Sequence, residues 1–438
     1  MDAASILGGD QTLRILFMKL MQVEVAVEMM NPVNGVQRKL LCIAYGQFQD
    51  LFLLPKLKYC LSTAPAELPI LRSIVETLTR GMGASEDSAA TAALAFRDVC
   101  DACRKKLCGS LDGLFHIYHQ GVSVESGAYQ LTPEDSLYLV EALSLVITEL
   151  PQEHAKKALE MLCLPIVNPL QEIINRGPEV LQQVFARQFT VHIDRLATIF
   201  RHVNHPEVVA GAIQSLWPIL KTIFDLRAWD MRTMESLCRA CKYAIFGSDP
   251  ACSVYLGSLL EALFNHTAHL LTTPLTWTSM FPWSCREACI SILTFLSDVL
   301  DLANSSVGER YRSIIDGVFL PRGASLTRIL IASLAGGLPS SRLEEVTYAQ
   351  LALARTYGVK VVEWARFSVS LIPSTAVTEA ERSNFLNALM KAASGAGVAS
   401  LSGPVRELSE VCRRNRSVHE IVQGALRPLE LNFTAASS

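Results

Sequence analysis

Apolar residues recur every three or four positions through almost all of the 438-residue sequence. That spacing matches one face of an α-helix, not the alternation of a half-buried strand. From Ser136 to Leu150, a wide apolar stripe is formed by Leu137, Leu139, Val140, Leu143, Leu145, Val146 and Leu150, and Thr132-Pro133 supplies a normal helix start. The next segment opens at Pro151 and Glu153. It sets Ala158, Leu159, Leu162, Ile166, Leu170 and Ile174 on one face, with Pro165 and Pro169 expected to kink or split it. No alternating run argues for strands, and Asn34-Gly35 and Asp112-Gly113 fall between helical patterns instead of closing a hairpin.

The predicted helices are about 12–20 residues long and come in pairs separated by short polar breaks. Such breaks lie at Gly83-Ala84-Ser85, Gly127-Ala128, Asn204-His205-Pro206, Pro339-Ser340-Ser341 and Ser394 to Gly403. Helical hairpins recurring at about 40 residues predict an all-α, HEAT-type helical-repeat superhelix (an α-solenoid) of roughly ten pairs. We expect irregular N-terminal helices over 1–60 and repeats over 61–247. Further repeats follow over 248–306, with an irregular stretch at 271–282, then C-terminal repeats over 307–428 and a frayed tail at 429–438. An array cut short exposes an apolar end unless Leu7 to Met30 caps it, so self-association is expected.

Hydrophobic residues make up 50% of the chain and charged residues 18%, which supports a large core and excludes wholesale disorder. A net charge of -3 argues against a globally basic protein that binds nucleic acid directly. The longest uncharged stretch, Ala262 to Cys285, carries Asn265, His266, His269, five threonines and two prolines. It is too polar for a membrane span, and no membrane insertion is expected. The first residues, with Asp2, Arg14 and Lys19, do not read as a secretory signal.

Motifs that would carry chemistry have bland readings. Cys100-x-x-Cys103 with Cys108, Cys238-x-x-Cys241 and Cys285-x-x-x-Cys289 could space zinc ligands, but all lie in helical patterns where such spacing marks one buried face. The twelve cysteines are read as small buried hydrophobes in a reducing compartment. His116/His119, His202/His205 and His266/His269 lack the glutamate of a metalloprotease helix. No nucleophile elbow or phosphate-binding glycine loop occurs. The expectation is a protein that is not an enzyme and has no cofactor and no metal.

Basic clusters offer more. Arg104-Lys105-Lys106 and Arg413-Arg414-Asn415-Arg416 suit helix C-termini. In the predicted helix Asp230 to Tyr243, Arg232 and Arg239 are seven apart and share a face, Lys242 follows one turn later, and Ser236 lies between them. Met234, Leu237, Cys238 and Cys241 form the opposite face. Two readings stand open: a solvated outer face, or a clamp for an acidic or phosphorylated partner, since guanidinium groups bind phosphate bidentately.

Several stretches together resemble the transportin-SR branch of the importin-β (karyopherin) nuclear transport receptors, closest to its plant members. They include Leu7–Gln22, Ala95–Tyr118, Glu134–Pro151, Phe189–Val203, Arg227–Ala244, Tyr255–Thr267, Ile292–Ser306, Leu320–Ala349 and Val411–Phe433. The resemblance implies HEAT repeats, regulation by the GTPase Ran, contact with nucleoporins, shuttling between nucleus and cytoplasm, and arginine/serine-rich splicing factors as cargo. It also implies that an arginine-lined helix takes the phosphorylated arginine-serine domain. Arg232 and Arg239 match that helix, Lys242 is a basic substitute, and Ser236 stands where some relatives are basic. The resemblance covers only the C-terminal half of the family's length, so the N-terminal repeats that contact Ran are not matched. After Ala244 the sequence passes to Ile245-Phe246-Gly247-Ser248-Asp249-Pro250, skipping helices that the family has there, and Val23–Lys56 and Leu271–Pro282 leave the pattern. The alternative is a helical-repeat scaffold without transport activity.

Overall fold

A computed structural model describes residues 68–122, 129, 131–183, 186–247, 257–258, 260–263, 281–305 and 308–426. The segments 1–60 and 429–438, most of 271–282 and the candidate cap Leu7–Met30 lie outside the described residues. Among the described residues every regular element is helical and no strand occurs. The α-helices are α1 (Leu68–Ala84), α2 (Glu86–Ala102), α3 (Arg104–Leu107), α4 (Leu111–Val122), α5 (Ser136–Ile147), α6 (Gln152–Asn175), α7 (Pro178–Gln183), α8 (Ala186–His202), α9 (Pro206–Arg227), α10 (Met231–Gly247), α11 (Phe281–Ala303), α12 (Arg312–Ala332), α13 (Leu343–Tyr357), α14 (Val359–Ser370), α15 (Glu379–Ala393), α16 (Ala399–Arg413) and α17 (Arg416–Leu426). The all-α, helical-repeat class expected from the apolar period is therefore what the described residues adopt.

Two compact units form, one ending at Val167 and including His202–Asn204, the other holding Asn168–Arg201 and the chain from His205 onward. In the first, α1 packs on α2 and α2 on α5. Ser85 caps α2 by accepting from the Ser88 backbone N–H at 3.4 Å. Phe96, Tyr118, Leu139 and Leu143 are fully buried, and the Tyr118 hydroxyl donates to the Leu162 carbonyl at 2.8 Å. Helix α6 runs unbroken through Pro165 and Pro169, contrary to a split. Each proline forfeits a bond and crowds the preceding turn, yet the burial of Leu159, Leu162, Ile166 and Leu170 along one stripe holds the helix together. The boundary between the units falls between the two prolines.

In the second unit α10, α11, α13 and α15 pack in succession as one layer, and α12 and α14 pack on each other. Pairs such as α13 and α14, joined at Gly358, are the repeating hairpin. The stretch Arg312–Gly337 is long and apolar enough to cross a membrane by length and composition alone, but 61% of its apolar window is buried inside the fold. It is a core helix here. Gly323 on α12 lies against Trp364 of α14, where an added Cβ would come 2.2 Å from the indole ring. Gly323→Ala should therefore destabilise by about 1–3 kcal/mol through overpacking, more than the gain of about 1 kcal/mol in helix propensity. Urea denaturation would measure this, and an unchanged midpoint would mean that the indole moves aside freely.

Residues Ser333–Gly337 continue α12 as a π-turn, ended by Gly336 at φ 124°, which favours glycine. The carbonyls left over there are met by other helices. The Ser409 hydroxyl donates to Leu334 O at 2.7 Å, and the Arg413 guanidinium to Leu338 O at 2.6 Å. Gln423 Nε2 donates to Ala332 and Ala335, both at 3.1 Å. Arg413 thus caps a helix other than its own, and Arg414 donates to Thr375 O at 2.8 Å. Arg413 and Arg414 are thus tied into the fold, whereas Arg416 is exposed and pairs only with Glu420 on its own helix, at 2.8 Å.

Candidate functional site

Helix α10 begins at a clamp. Asp230 accepts from the Thr233 backbone N–H at 3.2 Å, as an N-cap does. The same Asp230 oxygen receives Arg227 Nη2 at 3.2 Å. The Arg227 guanidinium lies 5.1 Å from the Phe189 ring and 4.7 Å from the Trp229 ring, and its Nη1 donates to Leu181 O at 3.4 Å. This buried cation fixes where α10 starts and ties it to α7 and α8.

Along α10 the core face carries Thr233, Met234, Ser236, Leu237, Cys238, Ala240, Cys241, Ala244 and Ile245. Arg232, Glu235, Arg239 and Lys242 lie on the other side, the arginine side chains 48% and 39% exposed. Ser236 is the correction to the sequence reading: it is 0% exposed and cannot meet a partner from solvent. Its hydroxyl lies beside Asp194 of α8 and favours that carboxylate.

The basic face is paired. Arg232 Nη2 meets Asp194 Oδ2 at 3.1 Å, and Arg239 Nη1 meets Asp194 Oδ1 at 3.1 Å. Glu235 closes the other side, Oε2 to Arg232 Nη1 at 3.3 Å and Oε1 to Arg239 Nη2 at 2.5 Å. Two guanidinium and two carboxylate groups form a closed ring. Lys242 Nζ meets Asp298 Oδ2 of α11 at 2.6 Å, and Arg201 of α8 lies over the Tyr243 ring at 5.5 Å. Three cations thus face three carboxylates, and the stripe is locally neutral. Burial pushes the Asp194 carboxyl above its ordinary value, while Ser236, Arg239 and Arg232 pull it back. The sequence reading brought Arg232, Arg239 and Lys242 together but missed Asp194, Glu235, Asp298 and Arg201. Glu235 was recoverable, because it lies three residues from one arginine and four from the other.

The cysteine pairs pack as core. Cys100, Cys103, Cys238 and Cys241 are buried, and among the described residues no His/Cys/Asp/Glu group could hold a metal; the side chains of Cys285 and Cys289 lie outside the described ones. Burial pushes the Cys163 and Cys241 thiols up to about 12, and Cys100 and Cys238 up as well. At pH 8 these four should resist iodoacetamide in the native protein and react once it is unfolded, read residue by residue by peptide mass spectrometry. Fast native labelling of Cys238 or Cys241 would show that the core face of α10 opens.

No family model matches the chain. Its sequence is 44% identical over 542 aligned positions to "Transportin MOS14" of Arabidopsis thaliana, covering 99% of this chain and 56% of that protein. The chain spans about half the length of that curated relative. The 542 aligned positions exceed the 438 residues of the chain by 104, so at least that many positions of the relative face gaps. A solved importin-13 structure in a cytosolic state aligns with 90% of this chain and 56% of its own, at 15% identity and a TM-score of 0.41.

Proposed function

We propose that this chain acts as a karyopherin-β-type nuclear import receptor, non-catalytic, whose α10 helix takes phosphorylated arginine/serine-rich segments of splicing-factor cargo. The relationship to a transportin supports the receptor reading. The observation that carries the cargo reading is the pair Arg232 and Arg239, exposed side by side on α10 and converging on one exposed carboxylate. A phosphoserine brings about -1.5 to -2 charges and three acceptor oxygens, more than the single charge of Glu235, so it can compete for both guanidinium groups. An unphosphorylated arginine-serine segment is a polycation and gains nothing from them. The transportin-SR branch, nucleoporin contact and shuttling between nucleus and cytoplasm complete this reading, with Ran contact weakened or lost where the family's N-terminal repeats are unmatched.

Fluorescence anisotropy with matched arginine-serine peptides tests it. The phosphorylated peptide should bind at least tenfold tighter, and its affinity should fall with added salt as charge pairing requires. Equal, salt-insensitive binding of both peptides would sink the cargo reading. A second reading, a helical-repeat scaffold without transport, is favoured by the pairing of all three cations within the fold and by the internal gaps against the relative. Pull-down on Ran loaded with a GTP analogue separates the two, since a scaffold would leave Ran unbound.

A further inference from the structure

The two carboxylates of the charge ring are not equivalent. Asp194 comes from α8, 38 and 45 residues away from the arginines it joins, and its side chain is 10% exposed. Its helix is held by buried Phe189, Ile193, Leu196 and Ala197, and its short arm leaves few alternatives to the observed position. Each of its oxygens takes a different arginine. Glu235 is on α10 itself, 42% exposed, on a longer arm that can rotate into solvent. An aspartate that bonds two arginines from below makes them one unit. A glutamate that bonds the same two arginines from outside occupies the place an incoming anion would take.

We propose that Asp194 is the positioning residue of this site, fixing Arg232 and Arg239 as a single two-pronged fork, and that Glu235 is a built-in, displaceable counter-ion whose place the cargo phosphate takes. The proposal rests on the phosphate-binding reading of α10 and assigns its specificity. Each guanidinium has five N–H donors, and the ring uses Nη1 and Nη2 of each. When Glu235 swings out, Arg232 Nη1 and Arg239 Nη2 are left pointing at one spot, and a phosphate with three acceptor oxygens satisfies both. A carboxylate from an acidic peptide only exchanges like for like with Glu235. The ring therefore screens out singly charged groups and admits the doubly charged one.

The test uses two substitutions that remove the same charge. Glu235→Gln should tighten binding of a doubly phosphorylated arginine-serine peptide by about fivefold, the effect of one unit charge at about 4 Å in water. It should also raise affinity for a glutamate-substituted version of the peptide, narrowing the preference for phosphate. Asp194→Asn should weaken phosphopeptide binding by about fivefold or more although it too removes a negative charge, because the arginines lose their common anchor. Simple electrostatics gives both variants the same sign, so tightening by both overturns the proposal, as does weakening by Glu235→Gln. Burial already disfavours the Asp194 carboxylate, so the asparagine variant is expected to fold with its melting temperature close to the parent's. Should it unfold, the exposed Glu235→Gln variant decides alone: the preference for the phosphorylated over the glutamate-substituted peptide should narrow, and a widened preference, as simple electrostatics gives for the more highly charged ligand, overturns the proposal. Equal binding of phosphorylated and unphosphorylated peptides by the unaltered chain would instead bring down the reading of α10 itself.

Discussion

Replacing Arg232 and Arg239 together by glutamine is expected to weaken binding of a phosphorylated arginine-serine peptide by about a hundredfold. A hydrogen bond to a charged group contributes about 1.5–3 kcal/mol when well formed. Both side chains are well exposed, so the lower end applies to each, and two give about 3 kcal/mol, a little over a hundredfold. Either single change should cost about tenfold. Isothermal titration calorimetry at low salt measures it, and a loss below threefold in the double variant would place the phosphate elsewhere. The same variant carries a pH signature. With both cations gone, only Ser236 is left of the three groups that hold the Asp194 carboxyl down, while burial still pushes it up. A folded-state value above the unfolded one means stability is full at low pH and is lost as pH rises through the folded value. The double variant should therefore lose more stability than the parent as pH is raised from the ordinary carboxylate value of 3.8, read by thermal melting.

Arg227→Ala should destabilise the second unit by about 3 kcal/mol. The guanidinium is held between the Phe189 and Trp229 rings and pairs with Asp230, its side chain 4% exposed. Removing one partner of a buried pair leaves the other uncompensated, which costs about 3–5 kcal/mol when burial is complete. Asp230 is partly exposed, so the lower end applies. The loss has an address as well as a size. Asp230 caps α10 through the Thr233 N–H, so amide hydrogen exchange over the first turn of α10 should accelerate before that of α13 or α15. A change within 0.5 kcal/mol, or uniform acceleration everywhere, would show that the clamp does not set the start of the helix.

What was legible in the sequence was local. The period of Leu137 through Leu150 foretold α5, and the seven-residue spacing of Arg232 and Arg239 foretold a shared face on α10. What was not legible depends on partners far along the chain. Asp194 looked like one aspartate among many until α8 placed it between two arginines 38 and 45 residues on. Ser236 sits one helical turn from Arg232, which put it with the arginines by spacing alone. It is fully buried, beside Asp194 of α8. Pro165 and Pro169 read as a kink or a split because propensity treats each proline as isolated, whereas the buried stripe beside them spans both and rules out the split. Arg413 read as a complement to its own helix end, but its acceptors lie 75 and 79 residues earlier.

Those long reaches around the end of α12 change how this part of the protein should come apart. In a plain stack of hairpins each unit touches only its neighbours, and the stack can fray one unit at a time. Here Arg328 of α12 donates to Leu426 O at 2.9 Å, 98 residues on, past the whole of α13 to α16. With Ser409 and Gln423 also anchored on the last turn of α12, the first and last helices of this stretch are stitched together. Pulled or warmed, α12 to α17 should give way in a single step, more like a clasp opening than a zip running down.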